Sequence, residues 1–308
     1  MGEIMRLGYC CINLSLNNES NFKTLKLGAS LKMNKIDFYA KIKSIILHNL
    51  ENTYKILQWN VKNDIQMYRA SSDLIPLFSH PFNDFQWHLD VDILEVCNKI
   101  KNYIFLNGLR VSFHPSQFNV LNSVNESTVI NMIDELEKHA QLADLLGINT
   151  IILHVGGKTD GTEASISRFL NNFPRLSQSV KNKLVLENDD RSFNVEQTLS
   201  LCQKLKLPLC VDIHHDRCLE SSQNIEFYIN DIYQTWDKKT PKCHLSSGKA
   251  HLKDRAHADY INEKDFSYAL EITQGRFDIM CEAKAKDLAI LKIREVPSFF
   301  YRPNSILK

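Results

Sequence analysis

The stretch TVINMIDELEKHAQLADLLGINTIILHVGG, residues 128–157, holds one full repeat of the pattern that decides the fold. Met132, Leu136, Ala140, Ala143 and Leu146 recur at spacings of three and four, which puts them on one face of a helix. Gly147 follows the last of them, where helices commonly stop. The period then changes. The β-branched run 150–152 continues through Leu153 as a short apolar strand, and His154 stands at its end. A helix feeding an apolar strand is half of a βαβ unit in a parallel sheet.

Outward from this stretch the unit recurs. Apolar runs at 4–12, 65–71, 109–113, 150–153, 184–186, 209–213, 242–245 and 278–281 read as eight strands. Helical patterns at 36–58 and 91–106 lie between the earlier ones. Asn194 can cap a further helix with Gln197 as its capping-box partner, and Pro208 marks the next strand start. Steady alternation with right-handed crossovers and eight units favours a closed barrel over an open sheet. The expected architecture is α/β, a single-domain (β/α)8 (TIM) barrel spanning 1–308, with its core at about 4–295. The tail 296–308, with Phe299, Phe300 and Tyr301, is expected to pack as a non-catalytic appendage.

The strand ends carry the chemistry. The first run holds Tyr9 and leads to Asn13; the second leads to a loop with His80. The others bring His114, His154, Glu187, Asp212 with His214 and His215, His244 and Glu282. In such a barrel the carboxyl ends of the strands converge on one mouth, where the active site is built. Any one of these histidines alone would read as a core imidazole. Carboxylates at the ends of apolar strands, however, are costly to bury without a cation, and imidazoles beside them are metal ligands. A metal cluster at the C-terminal mouth follows. Asp212 and His214 share strand parity, but parity lapses at a strand end, so either His214 or His215 could face inward. His257 and His80 join the set as loop ligands, whereas His48, His88 and His139 read as solvated or structural.

Composition narrows little. The chain has 308 residues, 44% apolar and 24% charged, with a formal net charge of +1, so any basic surface for nucleic acid must be local. Of the 8 cysteines, Cys10, Cys11, Cys210, Cys243 and Cys281 lie in strand runs as small apolar residues, with no Cys-x-x-Cys pair. With no secretory opening and no run long enough to span a bilayer, an intracellular, reducing compartment and no membrane partner are expected. The Walker-type phosphate loop is absent, so no nucleotide cofactor is expected. Ions a few ångströms apart suit in-line displacement at phosphorus.

Gly8-Tyr9 with Asn13-Leu14, His114-Pro-Ser-Gln, Leu186-Glu-Asn-Asp, Val211-Asp-Ile-His-His and Pro241-Lys-Cys-His, in this order, give the chain a resemblance to the UV damage endonucleases. That DNA-repair family has a barrel related to endonuclease IV. The resemblance covers almost the whole chain. It implies that His80, His114, His154, Glu187, Asp212, His215, His244, His257 and Glu282 hold two or three divalent ions, manganese first, with magnesium or zinc as alternatives. It favours His215 over His214. It further implies a carboxylated Lys242 as an additional ligand, and a catalytic set of Glu187, His244, Lys242 and Glu282. Tyr9, Asn13, Gln117 and Phe118 match positions that probe the lesion, with Phe118 standing where some relatives carry tyrosine. Lys23, Lys26, Lys158, Lys249, Lys253 and Arg255 are basic candidates for phosphate contacts.

The expected activity is hydrolysis of the phosphodiester immediately 5′ to UV photolesions in double-stranded DNA, by a monomer, without ATP. The rivals are an apurinic-site endonuclease of the endonuclease IV kind, a metal-dependent sugar isomerase, and a non-catalytic barrel that binds damaged DNA.

Overall fold

Among the described residues eight strands form, all short and almost wholly buried, as strands covered on both faces must be. They are β1 (Leu7–Cys10), β2 (Met67–Arg69), β3 (Arg110–Ser112), β4 (Ile151–His154), β5 (Leu184–Glu187), β6 (Leu209–Asp212), β7 (Lys242–Leu245) and β8 (Asp278–Cys281). The computed structural model describes residues 5–17, 21–115 and 120–296. Every pairing is parallel, in the order β3-β2-β1-β8-β7-β6-β5-β4. The two outer strands meet through one bridge between Phe113 and Ile151. There the Phe113 N–H donates to the Thr150 carbonyl at 3.0 Å, and the Ile152 N–H donates to that of Phe113 at 2.9 Å. The bridge closes the sheet into a (β/α)8 barrel.

The helices form where the sequence signals place them, with ends set by caps. The helix Glu126–Leu146 stops at Gly147, whose φ of +71° suits glycine. Val195–Leu205 begins at Asn194, whose side chain accepts the Gln197 N–H at 3.0 Å. The return half of that capping box is missing, because Gln197 Oε1 has no hydrogen-bond partner. Lys35–Lys62 runs further than the 36–58 expected, and Val91–Leu106 matches its expected bounds. No described helix is long and apolar enough to cross a membrane.

Four strands end earlier than the apolar runs suggest, β2 at Arg69 and β3 at Ser112 among them. β1 stops at Cys10 because Cys11 takes a positive φ of 65°. β6 stops at Asp212 because Asp212 caps the helix Ile213–Cys218. Gly8 on β1 is demanded by close approach: a Cβ there would lie 2.3 Å from the Met67 carbonyl oxygen. Alternation along β1 and β2 turns Tyr9 and Tyr68 to the helical layer, where their rings meet edge to face, and leaves Arg69 turned into the mouth toward Glu282.

Candidate metal centre

Glu187, the last residue of β5, is 1% exposed and surrounded by imidazoles. His114 Nε2 lies 2.9 Å and His154 Nε2 3.6 Å from its Oε2. On the other oxygen, His244 Nδ1 lies at 2.8 Å and His215 Nδ1 at 3.9 Å. Glu282 adds a second carboxylate, its Oε1 3.2 Å from His244 Nδ1, and Asp212 Oδ2 stands 3.7 Å from His215 Nδ1. Candidate ligand atoms fall into three groups, each with all members within 4.8 Å: His114–His154–Glu187, Glu187–Asp212–His215 and Glu187–His244–Glu282. Glu187 belongs to all three.

The donor set fits divalent cations on three counts. Asp212 Oδ2 is buried with no hydrogen-bond partner, a costly state for a carboxylate oxygen unless a cation meets it. Next, His114, His215 and His257 each direct Nδ1 at a backbone carbonyl, of Pro115 (3.2 Å), Asn188 (3.0 Å) and Glu282 (2.8 Å). A carbonyl only accepts, so Nδ1 carries a proton in each ring, which leaves Nε2 as the nitrogen a metal would take by displacing any proton it holds. Finally, Glu187 and Glu282 stay ionised. Burial works against charge on Glu187, but His244, His154 and His114 outweigh it and hold its pKa well below the usual range. Burial likewise opposes charge on Glu282, and Arg69 and His244 outweigh it. His215 is pushed up to about 9, because Asp212, Glu187 and Glu282 overcome its burial, whereas burial pulls His154 down.

The local fold explains which histidine of the pair faces the cluster. Asp212 Oδ1 accepts the N–H groups of His214 (2.8 Å) and His215 (2.7 Å), starting a helix. In a helix, consecutive side chains diverge by about 100°. His215 therefore joins Glu187, while His214 turns away to the Asp254 carbonyl at 2.8 Å. Strand parity would have favoured His214, and the early helix start is why parity does not apply.

Lys242 is 1% exposed and donates to Ser112 Oγ at 2.7 Å. Burial, followed by nearby Arg110 and Arg69, pushes its ammonium down to about 8 although the Cys210 thiol opposes this. His257 stands on the rim, its Nδ1 4.0 Å from Glu282 Oε2. His80 lies outside the three groups, its Nδ1 accepting the Phe82 N–H at 3.1 Å within its own turn.

Tyr9 and Asn13, matched above to lesion-probing positions, are enclosed by the protein. Both are 0% exposed. The Tyr9 hydroxyl donates to Asn60 Oδ1 at 2.6 Å and accepts from Asn13 Nδ2 at 2.8 Å, facing the helix Lys35–Lys62. Outward strand parity puts the ring there, so the pair supports the mouth from behind. Gln117 and Phe118 lie outside the described residues. Two contributors went unread in the sequence. Arg69 pairs with Glu282, and its signal was a lone cation inside the run 65–71. Asn188 braces Asp212 through both main-chain groups, accepting its N–H (2.8 Å) and donating to its carbonyl (3.0 Å).

The barrel shares its fold with endonuclease IV from Thermus thermophilus (TM-score 0.57, 14% identity, 93% of this chain and 97% of that one). Far greater likeness is found to the crystal structure of SacUVDE, with a TM-score of 0.86 and 34% identity over 97% of this chain and 99% of that chain. The UV DNA damage endonuclease of Bacillus cereus (strain G9842) is 35% identical over 298 residues, 94% of this chain and 93% of the relative. The family model for UV-endonuclease UvdE matches residues 5–301. The protein is thus a nuclease on a TIM barrel. The chain belongs to the UV damage endonuclease family of DNA-repair enzymes.

Proposed function

We propose that this endonuclease hydrolyses the phosphodiester immediately 5′ to UV photolesions, both cyclobutane dimers and 6-4 photoproducts, in duplex DNA. The observation that carries the reading is the sharing of Glu187 among three groups of candidate ligands, in a chain of this family. His114, His154, Asp212, His215, His244, Glu187 and Glu282 would hold two or three divalent ions, with His80 and His257 completing the set from the rim. Manganese is the proposed metal. When bound, such ions stabilise the charge that builds on the phosphoryl and leaving oxygens.

The chain's own groups then have separate tasks. Glu187 ties the ion positions together. Glu282, held on one oxygen by Arg69 and His244, keeps its other oxygen toward His257. Lys242 carries a further role as a carbamate. An amine near 8 has an appreciable neutral fraction in neutral solution. The neutral nitrogen adds to carbon dioxide and releases a proton, which converts a buried cation into an anionic ligand. A photodimer pairs poorly, so extruding it from the stack costs less than extruding intact bases, and this cost difference itself selects lesions. The enzyme would act as a monomer and without a nucleotide cofactor.

The test is incision of an end-labelled duplex carrying one cyclobutane dimer, with manganese or with chelator, beside duplexes that are undamaged or abasic. Metal-dependent cutting one bond 5′ of the dimer, absent on the undamaged strand, is the expected result. Cutting confined to the abasic duplex would replace this reading with the apurinic-site one.

A further inference from the structure

Beyond Cys10 the chain is held in an unusual shape. Cys11 has a φ of +65°, and the Ile12 N–H donates to the Cys10 carbonyl at 2.8 Å. Residues 10–12 thus form a γ-turn centred on a left-handed residue that is not glycine, which is rare and strained. Its surroundings over-determine it. The Cys11 N–H donates to the Arg69 carbonyl at 2.8 Å, and the Tyr68 hydroxyl donates to the Cys11 carbonyl. Strain fixed in this way at a functional mouth is a reason to ask what it presents.

The next residues are anchored from below. Asn13 Oδ1 accepts the Leu16 N–H at 2.8 Å while its Nδ2 sits on Tyr9. The wholly buried carboxylate of Asp287 accepts the N–H groups of Leu14 (2.6 Å) and Ser15 (3.0 Å). What the anchored segment shows to solvent is apolar: Ile12 is 43% and Leu14 39% exposed, on either side of the buried Asn13. A single exposed aliphatic side chain is ordinary. Two, on a strained and pinned turn at the rim of the mouth, are not. The rim position follows from pairing: Tyr9 is the register partner of Cys281, the residue before Glu282, and the residue whose carbonyl holds Cys11 also binds Glu282.

We propose that Ile12 and Leu14 form a rigid apolar prong that packs against the base stack beside the lesion, occupying space vacated when the damaged bases leave it. The inference rests on the reading of this mouth as a photolesion-incision site. Apolar side chains wedged between base steps stabilise opened DNA in this way. A prong already held in shape loses little conformational freedom on binding.

The test compares wild type with the double variant Ile12→Ser, Leu14→Ser on a dimer-containing duplex with 2-aminopurine opposite the lesion. Both proteins are first matched for thermal stability and manganese stoichiometry. Expected are at least tenfold weaker binding of the lesion duplex by the variant, less than twofold change on undamaged duplex, and a reduced 2-aminopurine signal at saturation. The variant Ile12→Val, Leu14→Met should restore both readouts. Wild-type lesion affinity and signal in the serine variant would overturn the prong while leaving the mouth reading intact. Failure of wild type itself to bind or cut the dimer duplex would overturn the mouth reading and the prong with it.

Discussion

The guanidinium of Arg69 and the carboxylate of Glu282 form a part-buried ion pair at the barrel mouth, with 16% and 13% of their side chains exposed. Arg69 Nη1 and His244 Nδ1 converge on the same oxygen, Oε1. One oxygen is thereby committed to the protein and the other is free to meet a cation. Arg69 acts through Glu282 and is a positioning residue.

Replacing Arg69 with methionine leaves that carboxylate short of positive charge in a desolvated place. Breaking a buried pair from one side costs about 3 kcal/mol or more. Urea denaturation of the metal-free Arg69→Met variant should show a loss of this size, and adding manganese should recover part of it. Unchanged metal-free stability would show that the pair does not hold Glu282.

Glu187→Gln keeps the shape of the side chain and removes the charge shared by three candidate ligand groups. Outer partners of a metal site typically change affinity about 10–100-fold. A residue common to every group should exceed that. Calorimetric titration with manganese should show a weakening of about 100-fold or more, with incision falling in parallel. Retention of full stoichiometry and affinity would remove Glu187 from the centre.

A carbamate on Lys242 would have its own signature. Protein equilibrated with 13C-bicarbonate should show a carbamate carbon resonance that Lys242→Met lacks. The variant should incise at least tenfold more slowly. Its metal-free stability should not fall, since methionine fills a similar volume without a buried ammonium. A wild-type spectrum without that resonance leaves Lys242 as an amine bound to Ser112.

His139 supplies a pH effect away from the mouth. Its ring lies edge to face with Phe78 and Phe113, its Nδ1 is 2.8 Å from the Glu135 carbonyl, and burial pulls it down to about 4. The folded value lies below the ordinary value of about 6.5, so the unfolded chain takes up the proton first. Stability is fully present above pH 6.5 and declines as pH falls through 4, by roughly 3 kcal/mol for this group. His139→Leu should flatten that part of the acid limb in urea unfolding at pH 7, 5.5 and 4.5. Parallel limbs for variant and wild type would refute the assignment.

What could be read from sequence was whatever depends on periodicity. The helix Val91–Leu106 and the strands Lys242–Leu245 and Asp278–Cys281 have the bounds their apolar patterns predict, because nothing local competes with the pattern. The gathering of Glu187, His114, His154 and His244 was legible because closing a barrel brings its strand ends together. Where local chemistry overrides period, the reading fails. Cys11 ends β1 through a turn that no residue type announces, and the Asp212 cap rotates His215 inward. The burial of Tyr9 and Asn13 was not legible for a related reason: matching a motif says which residues recur, not how far each is enclosed.

Among the described residues, seven junctions of the barrel are continuous ladders and the eighth is the lone bridge between Phe113 and Ile151. That seam separates His114 from His154, the two imidazoles that meet one oxygen of Glu187. An ion held there would act as a clasp across the least-stitched line of the cylinder. The amides of Phe113 and Ile152 would then report metal loading by hydrogen exchange, protected when the clasp is shut and quick to exchange when it is removed. Repair competence and mechanical integrity would in that case be set by the same atom.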